Sequence, residues 1–202
     1  MSKSKRRDLS PDERHVLEHG HIRLLTSPED IARCDQTIVQ HHYLHNVTLV
    51  GEHLRYAFVY KGRWLAVATW SAATFHIKDR DQFIGWTPEQ CRRRRALLAN
   101  NSRLWADPDC PYPNLLSRFM KLMLERLSPD WQEHWGHPIA LVETFVSQPI
   151  MLIVQPVRVR RWKMTMNHLE ITDLGDRGDP AQASSVVKVL TGAGRANDQA
   201  VA

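Results

Sequence analysis

Two apolar runs near the middle of the chain form its clearest pattern. Residues 54–60 (LRYAFVY) and 64–70 (WLAVATW) are rich in aromatic and β-branched residues, and Lys61-Gly62-Arg63 separates them. Two such runs around a short glycine-containing turn are typical of a β-hairpin. The pattern therefore predicts an antiparallel hairpin.

Start signals and helical periodicity predict the helices. A capping residue stands before a proline in residues 10–13 (SPDE), 27–30 (SPED) and 87–90 (TPEQ), as at many helix N-termini. The helices predicted from them run to Gly20, to about residue 40 and to about residue 99. Asn114 is predicted to cap a fourth helix with a broad apolar face that packs on the sheet, and residues 128–130 (SPD) predict a separate short helix after it.

Strands are predicted between these helices. They cover residues 21–25, 102–105 and 139–146, and a further apolar run at 150–154 is a candidate strand. Helices that alternate with strands late in the chain require crossover connections and hence some parallel pairing. Together with the hairpin, this order predicts an α/β (α+β) fold with a mixed sheet.

The length of 202 residues fits one domain with irregular ends. We predict a disordered basic tail at residues 1–9, a single α/β domain at 10–146, a divergent basic segment at 147–172 and a disordered tail at 173–202.

Composition narrows the class of partner. The net charge is +5 and the sequence pI is about 9.3, which favours a polyanion or an acidic surface as partner. The three cysteines form no Cys-x-x-Cys pair, and no secretory signal or membrane-spanning run is visible. These features predict a cytoplasmic protein with no membrane partner, no metal and no cofactor.

Two short apolar runs each contain one charged residue. Glu143 interrupts residues 138–146 (PIALVETFV), and Arg103 interrupts residues 99–105 (ANNSRLW). Because a buried carboxylate is costly unless it is paired, we predict that the runs are neighbouring strands and that Glu143 faces Arg103. Glu143 is then either a catalytic base or ligand contact in a cleft, or half of an ion pair that holds two strands in register.

Other polar clusters also have two interpretations. Arg80-Asp81 is either an anion-binding arginine with its neighbour or a local surface pair. His41, His42 and His45 lie within five residues and favour a hydrogen-bonding cluster at a helix end over a metal site.

Two basic segments are candidate nucleic-acid contacts. Arg92, Arg93, Arg94 and Arg95 follow one another on a predicted helix, and Arg158, Arg160 and Arg161 surround Trp162. Four successive arginines cover every side of a helix, so at least one must face the protein. The alternatives are contacts to a phosphate backbone or solvated surfaces with internal ion pairs.

Seven short motifs occur in a particular order along the chain. They are HYL (42–44), LRYAFVY (54–60), RDQFIGW (80–86), NNSRLW (100–105), PNLLSR (113–118), DW (130–131) and VETFV (142–146). Together they resemble the family of the Druantia anti-phage protein DruA. The resemblance covers residues 28–146 and implies a bacterial protein of mobile elements or phage defence. It adds His42, Tyr43 and Asn101 to Arg80, Asp81 and Arg103 as candidate ligand-binding or anion-binding residues.

The element order also resembles the acetyltransferase (GNAT-like) fold, in which a glycine-rich turn binds the pyrophosphate of acetyl-coenzyme A. Here the corresponding turn, residues 107–114, contains no glycine, and His45 replaces a glycine that the DruA family has after HYL. Residues 147–164 (SQPIMLIVQPVRVRRWKM) also differ from the family, which leads us to expect a frameshift or truncation near Ser147.

Three functions follow as hypotheses. The first is a DNA-associated accessory protein of a transposon or of an anti-phage defence system, with arginines that bind an anion and Glu143 as anchor of the site. The second is an acyltransferase or other small-ligand enzyme that uses a cleft at Glu143. The third is an inactive remnant that still folds.

Overall fold

The computed structural model describes residues 8–75, 77–146, 151–156, 164–165, 168–169 and 190–191. Its helices are α1 (Pro11–His19), α2 (Pro28–His41), α3 (Lys78–Ile84), α4 (Pro88–Arg94) and α5 (Leu115–Trp135), with a 3₁₀ turn at Arg95–Leu97. Its strands are β1 (His21–Leu24), β2 (His53–Tyr60), β3 (Arg63–Ala72), β4 (Leu98–Ala106), β5 (Leu141–Val146), β6 (Met151–Pro156), β7 (Met164–Thr165), β8 (His168–Leu169) and β9 (Leu190–Thr191).

The main sheet has the strand order β1-β2-β3-β4-β5-β6-β9, and β7 pairs with β8 separately. Strands β4 and β5 are parallel, whereas the other neighbours in the main sheet are antiparallel. Helix α5 connects the parallel pair, as a crossover connection must. The predicted mixed α+β architecture is therefore confirmed.

The hairpin of β2 and β3 is confirmed at the predicted place. Lys61 and Gly62 at its turn both have positive φ, 48° and 76°. Two adjacent residues with positive φ form the turn that best matches the twist of hairpin strands.

The two faces of the sheet carry different cores. On one face, Tyr56 and Phe58 of β2 pack with Phe119 and Met123 of α5 and with Val16 of α1. On the other face, side chains of β2 and β3 pack with Cys34 and Ile38 of α2. Side chains alternate between the faces of a strand, so β2 and β3 contribute apolar side chains to both cores.

Two predicted boundaries are wrong, each for a reason that lies in the tertiary structure. Helix α4 ends at Arg94 rather than near residue 99, and strand β4 begins at Leu98 rather than Ser102, because Leu98 and Ala99 pair with β5. Helix α5 continues through Pro129, where the buried Asp130 accepts a hydrogen bond from the Tyr56 hydroxyl at 2.9 Å.

Helix α5 begins directly after Asn114, as predicted. However, Asn114 has a left-handed backbone (φ 64°), and its side chain makes no capping hydrogen bond.

The predicted tails mostly lie outside the described residues. The first seven residues of the tail at 1–9 are among them, as is most of the stretch 173–202, although β9 within that stretch pairs with β6. The candidate strand at 150–154 corresponds to β6, which pairs with β5.

A side chain at Gly20 should destabilise the protein. The reason is close packing, because the backbone conformation at Gly20 is one that any residue can adopt. Its φ is −68°, but a Cβ atom at Gly20 would lie 2.3 Å from Cζ of the Phe58 ring. We expect Gly20→Ala to lower the free energy of unfolding by about 1–3 kcal/mol, as overpacking does. In the Phe58→Leu background the same change should cost less. Urea unfolding of the four proteins measures this, and equal costs in both backgrounds would contradict the explanation.

Candidate functional site

Three polar residues form a row across the central strands. Ser71 of β3 pairs with Asn100 of β4, and Asn100 pairs with Glu143 of β5. The adjacent residues Ala99 and Val142 belong to the core against α5, so the polar row occupies the opposite face. This arrangement places Glu143, whose side chain is 0% exposed, inside the protein.

Arg80 of α3, and not Arg103, is the partner of Glu143. The Arg80 Nη1 atom lies 3.4 Å from both carboxylate oxygens, and the Arg80 side chain is only 2% exposed. The runs that carry Glu143 and Arg103 are neighbouring strands, as predicted. However, Asn100 is the register partner of Glu143, and Arg103 is three residues further along, about 10 Å away.

Arg80 makes further contacts within its own segment. Its Nε donates to Asp81 Oδ1 at 2.8 Å, and its Nη1 donates to the carbonyl oxygen of Thr74, also at 2.8 Å. The predicted Arg80–Asp81 pair therefore exists, but it is buried at Arg80 rather than a surface pair. A planar guanidinium suits this role because its donors point in fixed directions.

Burial raises the pKa of the Glu143 carboxyl above its ordinary value of 4.5, while the positive charge of Arg80 opposes that shift. Desolvation disfavours the charged form of a carboxyl group, and a nearby cation favours it. A buried carboxyl group with a raised pKa and one long contact to a cation is the kind of group that occurs at functional sites.

Two buried polar atoms lie on β3 and β4, the strands beside β5. Thr69 Oγ1 and Asn100 Oδ1 have no hydrogen-bond partner among the described residues. Sequence reasoning missed Thr69, Ser71 and Asn100. The signal was the alternation of polar and apolar residues in 69–71 (TWS), which places two polar side chains on one face of β3.

Arg103 lies near the end of α2 instead. Its Nε and Nη1 atoms donate to the carbonyl oxygens of Asn46 and Ser102, each at 2.7 Å. Burial lowers the pKa of His42, and the charge of Arg103 contributes to that shift. Tyr43, next to His42, is 63% exposed. These candidates thus form a second group, distinct from Arg80, Asp81 and Glu143.

Asn101 belongs to neither group. Its side-chain amide donates to the carbonyl oxygens of Thr69 and Arg103, at 3.2 and 3.4 Å. The register between β3 and β4 shifts at Thr69–Trp70. Asn101 therefore bonds to the main chain at a β-bulge, where ladder hydrogen bonds are disrupted.

The four successive arginines 92–95 differ in their exposure to solvent. Arg92, Arg93 and Arg94 are exposed, whereas Arg95 is half-buried. The Cζ atom of Arg95 lies 3.1 Å from the centre of the Phe75 ring. The arginine that packs against the protein therefore lies in the 3₁₀ turn after α4, whereas we predicted that at least one of the four would turn inward on the helix itself. Arg158, Arg160 and Arg161 lie outside the described residues.

The histidines near the end of α2 make separate contacts. His41 stacks on Trp105 at 5.4 Å between ring centres. His45 Nδ1 lies 2.8 Å from the carbonyl oxygen of Val39, and His42 Nδ1 accepts from the backbone N–H of Leu44. Within the described part of the chain, no group of three or more histidine, cysteine or acidic residues has an arrangement suited to a metal ion.

Comparison with known proteins identifies the family. A family model described as "Druantia protein DruA" matches residues 27–163. The chain belongs to the DruA family. The match includes α3, α4 and the strand that carries Glu143, and it extends beyond Ser147, where we expected a departure from the family. That a frame change produced the later segment stays a prediction.

A search of curated proteins finds no match to this chain. None of the helices in the described part of the protein is both long and apolar enough to cross a bilayer.

Removal of Arg80 should destabilise the protein more than removal of Arg103. Arg80→Met leaves the Glu143 carboxylate buried without its cation, which costs about 3–5 kcal/mol. Arg103→Met removes two hydrogen bonds to carbonyl groups, which are worth about 1–2 kcal/mol together. Urea unfolding at pH 7 measures both. A larger loss for Arg103→Met would contradict the assigned pairing.

The raised pKa of Glu143 predicts a pH dependence of stability. Above pH 4.5, the ordinary value, the folded protein holds this proton more tightly than the unfolded chain does. The contribution of Glu143 to stability is therefore lost as the pH rises through the folded-state pKa. Relative to Glu143→Gln, the wild type should lose stability across that window. The control Glu125→Gln, at an exposed position on α5, keeps Glu143 and should follow the wild type. A wild-type stability that rises with pH relative to Glu143→Gln would refute the assignment.

Proposed function

We propose that this DruA-family protein is a cytoplasmic, DNA-associated component of an anti-phage defence system or of a mobile element, and that it binds nucleic acid through α4. The observation that carries the proposal is the set of three exposed, successive arginines, Arg92, Arg93 and Arg94. Exposed guanidinium groups bind phosphate oxygens with good geometry, and contacts to the phosphate backbone dominate the affinity of most DNA-binding proteins.

The surroundings of α4 support this proposal. Glu89 pairs with Arg93 at 3.2 Å, but both side chains are well exposed, 63% and 78%, and such a pair is weak. Arg92 and Arg94 thus provide the least compensated charge. The net charge of +5 adds a long-range attraction for a polyanion.

Phe75 adds an exposed aromatic ring to the candidate DNA-binding surface. Its side chain is 60% exposed, and Arg95 lies over its ring. An aromatic ring beside a guanidinium is a surface on which an unpaired base stacks, and stacking of this kind tolerates any base. We therefore favour single-stranded or locally opened DNA over an intact duplex.

The GNAT-like resemblance supports an acyltransferase less well. The unit of β4, α5 and β5, with its parallel strands, fits that resemblance and is its main support. Against it, the turn at residues 107–114 has no glycine and includes Asp107 and Asp109, which would repel a pyrophosphate. The enclosed Glu143 side chain also offers no open cleft.

Neutralising α4 should weaken binding to single-stranded DNA and reduce its dependence on salt. In Arg92→Ala/Arg94→Ala, the magnitude of the slope of log K against log salt concentration should fall by about 1.4, since each lost phosphate contact to a single strand contributes about 0.7. Fluorescence anisotropy with a labelled oligonucleotide over a range of salt concentrations measures this slope.

The matched control is Arg14→Ala/Lys121→Ala, which removes the same charge from exposed positions on α1 and α5. If both double variants lose the slope equally, net charge rather than α4 explains the binding. If the wild type shows no salt-dependent binding, the proposal fails. A thermal shift with acetyl-coenzyme A would then favour the enzyme hypothesis, and no response to either ligand would favour the remnant hypothesis.

A further inference from the structure

Helices α3 and α4 lie in an insertion between two strands that pair with each other. Strand β3 ends at Ala72 and β4 begins at Leu98, and Ala72 pairs with Ala99. The backbone N–H of Ala73 donates to the carbonyl oxygen of Leu98 at 3.4 Å. The chain therefore leaves the sheet and returns to it at the same place, and residues 73–97 form what we call the insertion.

Several contacts of the insertion join its own residues. Thr87 and Gln90 make a reciprocal capping box, Arg93 pairs with Glu89, and Arg95 lies over Phe75. Among the side chains of the insertion that the structure describes, only those of Ala73 and Arg80 are buried. The described side chains of the insertion thus bury little apolar surface, and segments with few buried apolar contacts open locally at low cost in free energy.

Arg80 provides the attachment that packing does not. In the described part of the chain, it is the one residue of the insertion whose side chain donates hydrogen bonds to the sheet, and its acceptor is Glu143 of β5. Its other two bonds, to Thr74 and Asp81, go to the start of the insertion and to α3 itself. Arg80 thus joins α3 to the polar row of the sheet beside the root of the insertion, since Asn100, the register partner of Glu143, directly follows Ala99.

The same arginine lies close to the candidate DNA surface. Its Nη1 atom donates to the carbonyl oxygen of Thr74, the neighbour of Phe75, and Arg95 lies over the Phe75 ring. The group that attaches the insertion to Glu143 therefore also fixes the main chain beside the candidate stacking surface. DNA bound at Phe75 and Arg95 would then favour the attached state, in which this surface is already ordered.

We infer that Arg80 and Glu143 are positioning residues that hold the α3–α4 insertion against the sheet, and that single-stranded DNA binds the attached state preferentially. The preference of DNA for the attached state rests on the proposed function, whereas the attachment itself does not. Coupling of this kind is reciprocal: if attachment promotes DNA binding, bound DNA must promote attachment.

Hydrogen exchange of the full chain without DNA tests the attachment. In Glu143→Gln and in Arg80→Lys, amides of residues 78–94 should exchange about tenfold faster than in the wild type, because each variant weakens a charged hydrogen bond. The control Asp130→Asn removes a buried acid from the other face of the sheet and should leave this segment unchanged. Unchanged exchange in both test variants, with the core protected, would overturn the inference.

The affinity for single-stranded DNA tests the coupling, because electrostatics and positioning predict opposite changes in Glu143→Gln. Glu143→Gln removes a negative charge, so simple electrostatics predicts tighter binding. If Glu143 positions the insertion, binding should instead become about threefold weaker, as it does when only a third of the molecules are competent. Arg80→Lys keeps the net charge and should weaken binding similarly. Tighter binding by Glu143→Gln, or no change for Arg80→Lys, would refute the coupling.

The two proposals fail in different ways. If the wild type does not bind DNA, the proposed function fails, while faster exchange in the variants still establishes the attachment. If the wild type binds DNA through α4, but the Glu143 and Arg80 variants change neither hydrogen exchange nor DNA affinity, only the present inference fails. Slower exchange of residues 78–94 in the wild type on addition of the oligonucleotide would support both.

Discussion

A carboxylate without access to water needs a cation, and in this protein that requirement determines where a whole segment lies. Glu143 sits on a central strand with no exposed surface, and Arg80 is the group that compensates it. Since Arg80 belongs to α3, the pair fixes α3 on the polar face of the sheet. The position of α4, with its exposed arginines, follows from that of α3 because they share one short insertion.

The two faces of the sheet therefore differ in the side chains that they carry. The face against α1 and α5 is apolar, and it supplies most of the core. The other face is apolar under α2 but carries hydroxyl, amide and carboxyl groups where β3, β4 and β5 meet. Polar groups in an interior reduce stability unless they are satisfied, so this polar region contributes less to the stability of the domain than the apolar core against α1 and α5 does.

Local sequence signals predicted the elements well, because their causes are local. The hairpin follows from two apolar runs around Gly62, and the helix starts follow from capping residues whose bonds join neighbours three positions apart. The β4 boundary, by contrast, depends on pairing with a strand more than forty residues away. Propensity in residues 98–101 carries no information about that partner.

The candidate site was predicted in part for the same reason. A buried Glu143 that needs a cation follows from its apolar neighbours. The identity of the cation does not, because Arg103 and Arg80 are equally plausible until the register of β4 and the path of the insertion are known. A shift of three residues along a strand decides between them.

The root of the insertion has a consequence for how the domain can vary. Because Ala72 and Ala99 are already paired, the chain between them closes a gap of fixed size whatever its length. Loop-closure entropy grows only slowly with the number of residues. The sheet is therefore a frame into which relatives can fit longer, shorter or chemically different excursions at this one position, so surface chemistry can diverge while the frame is retained.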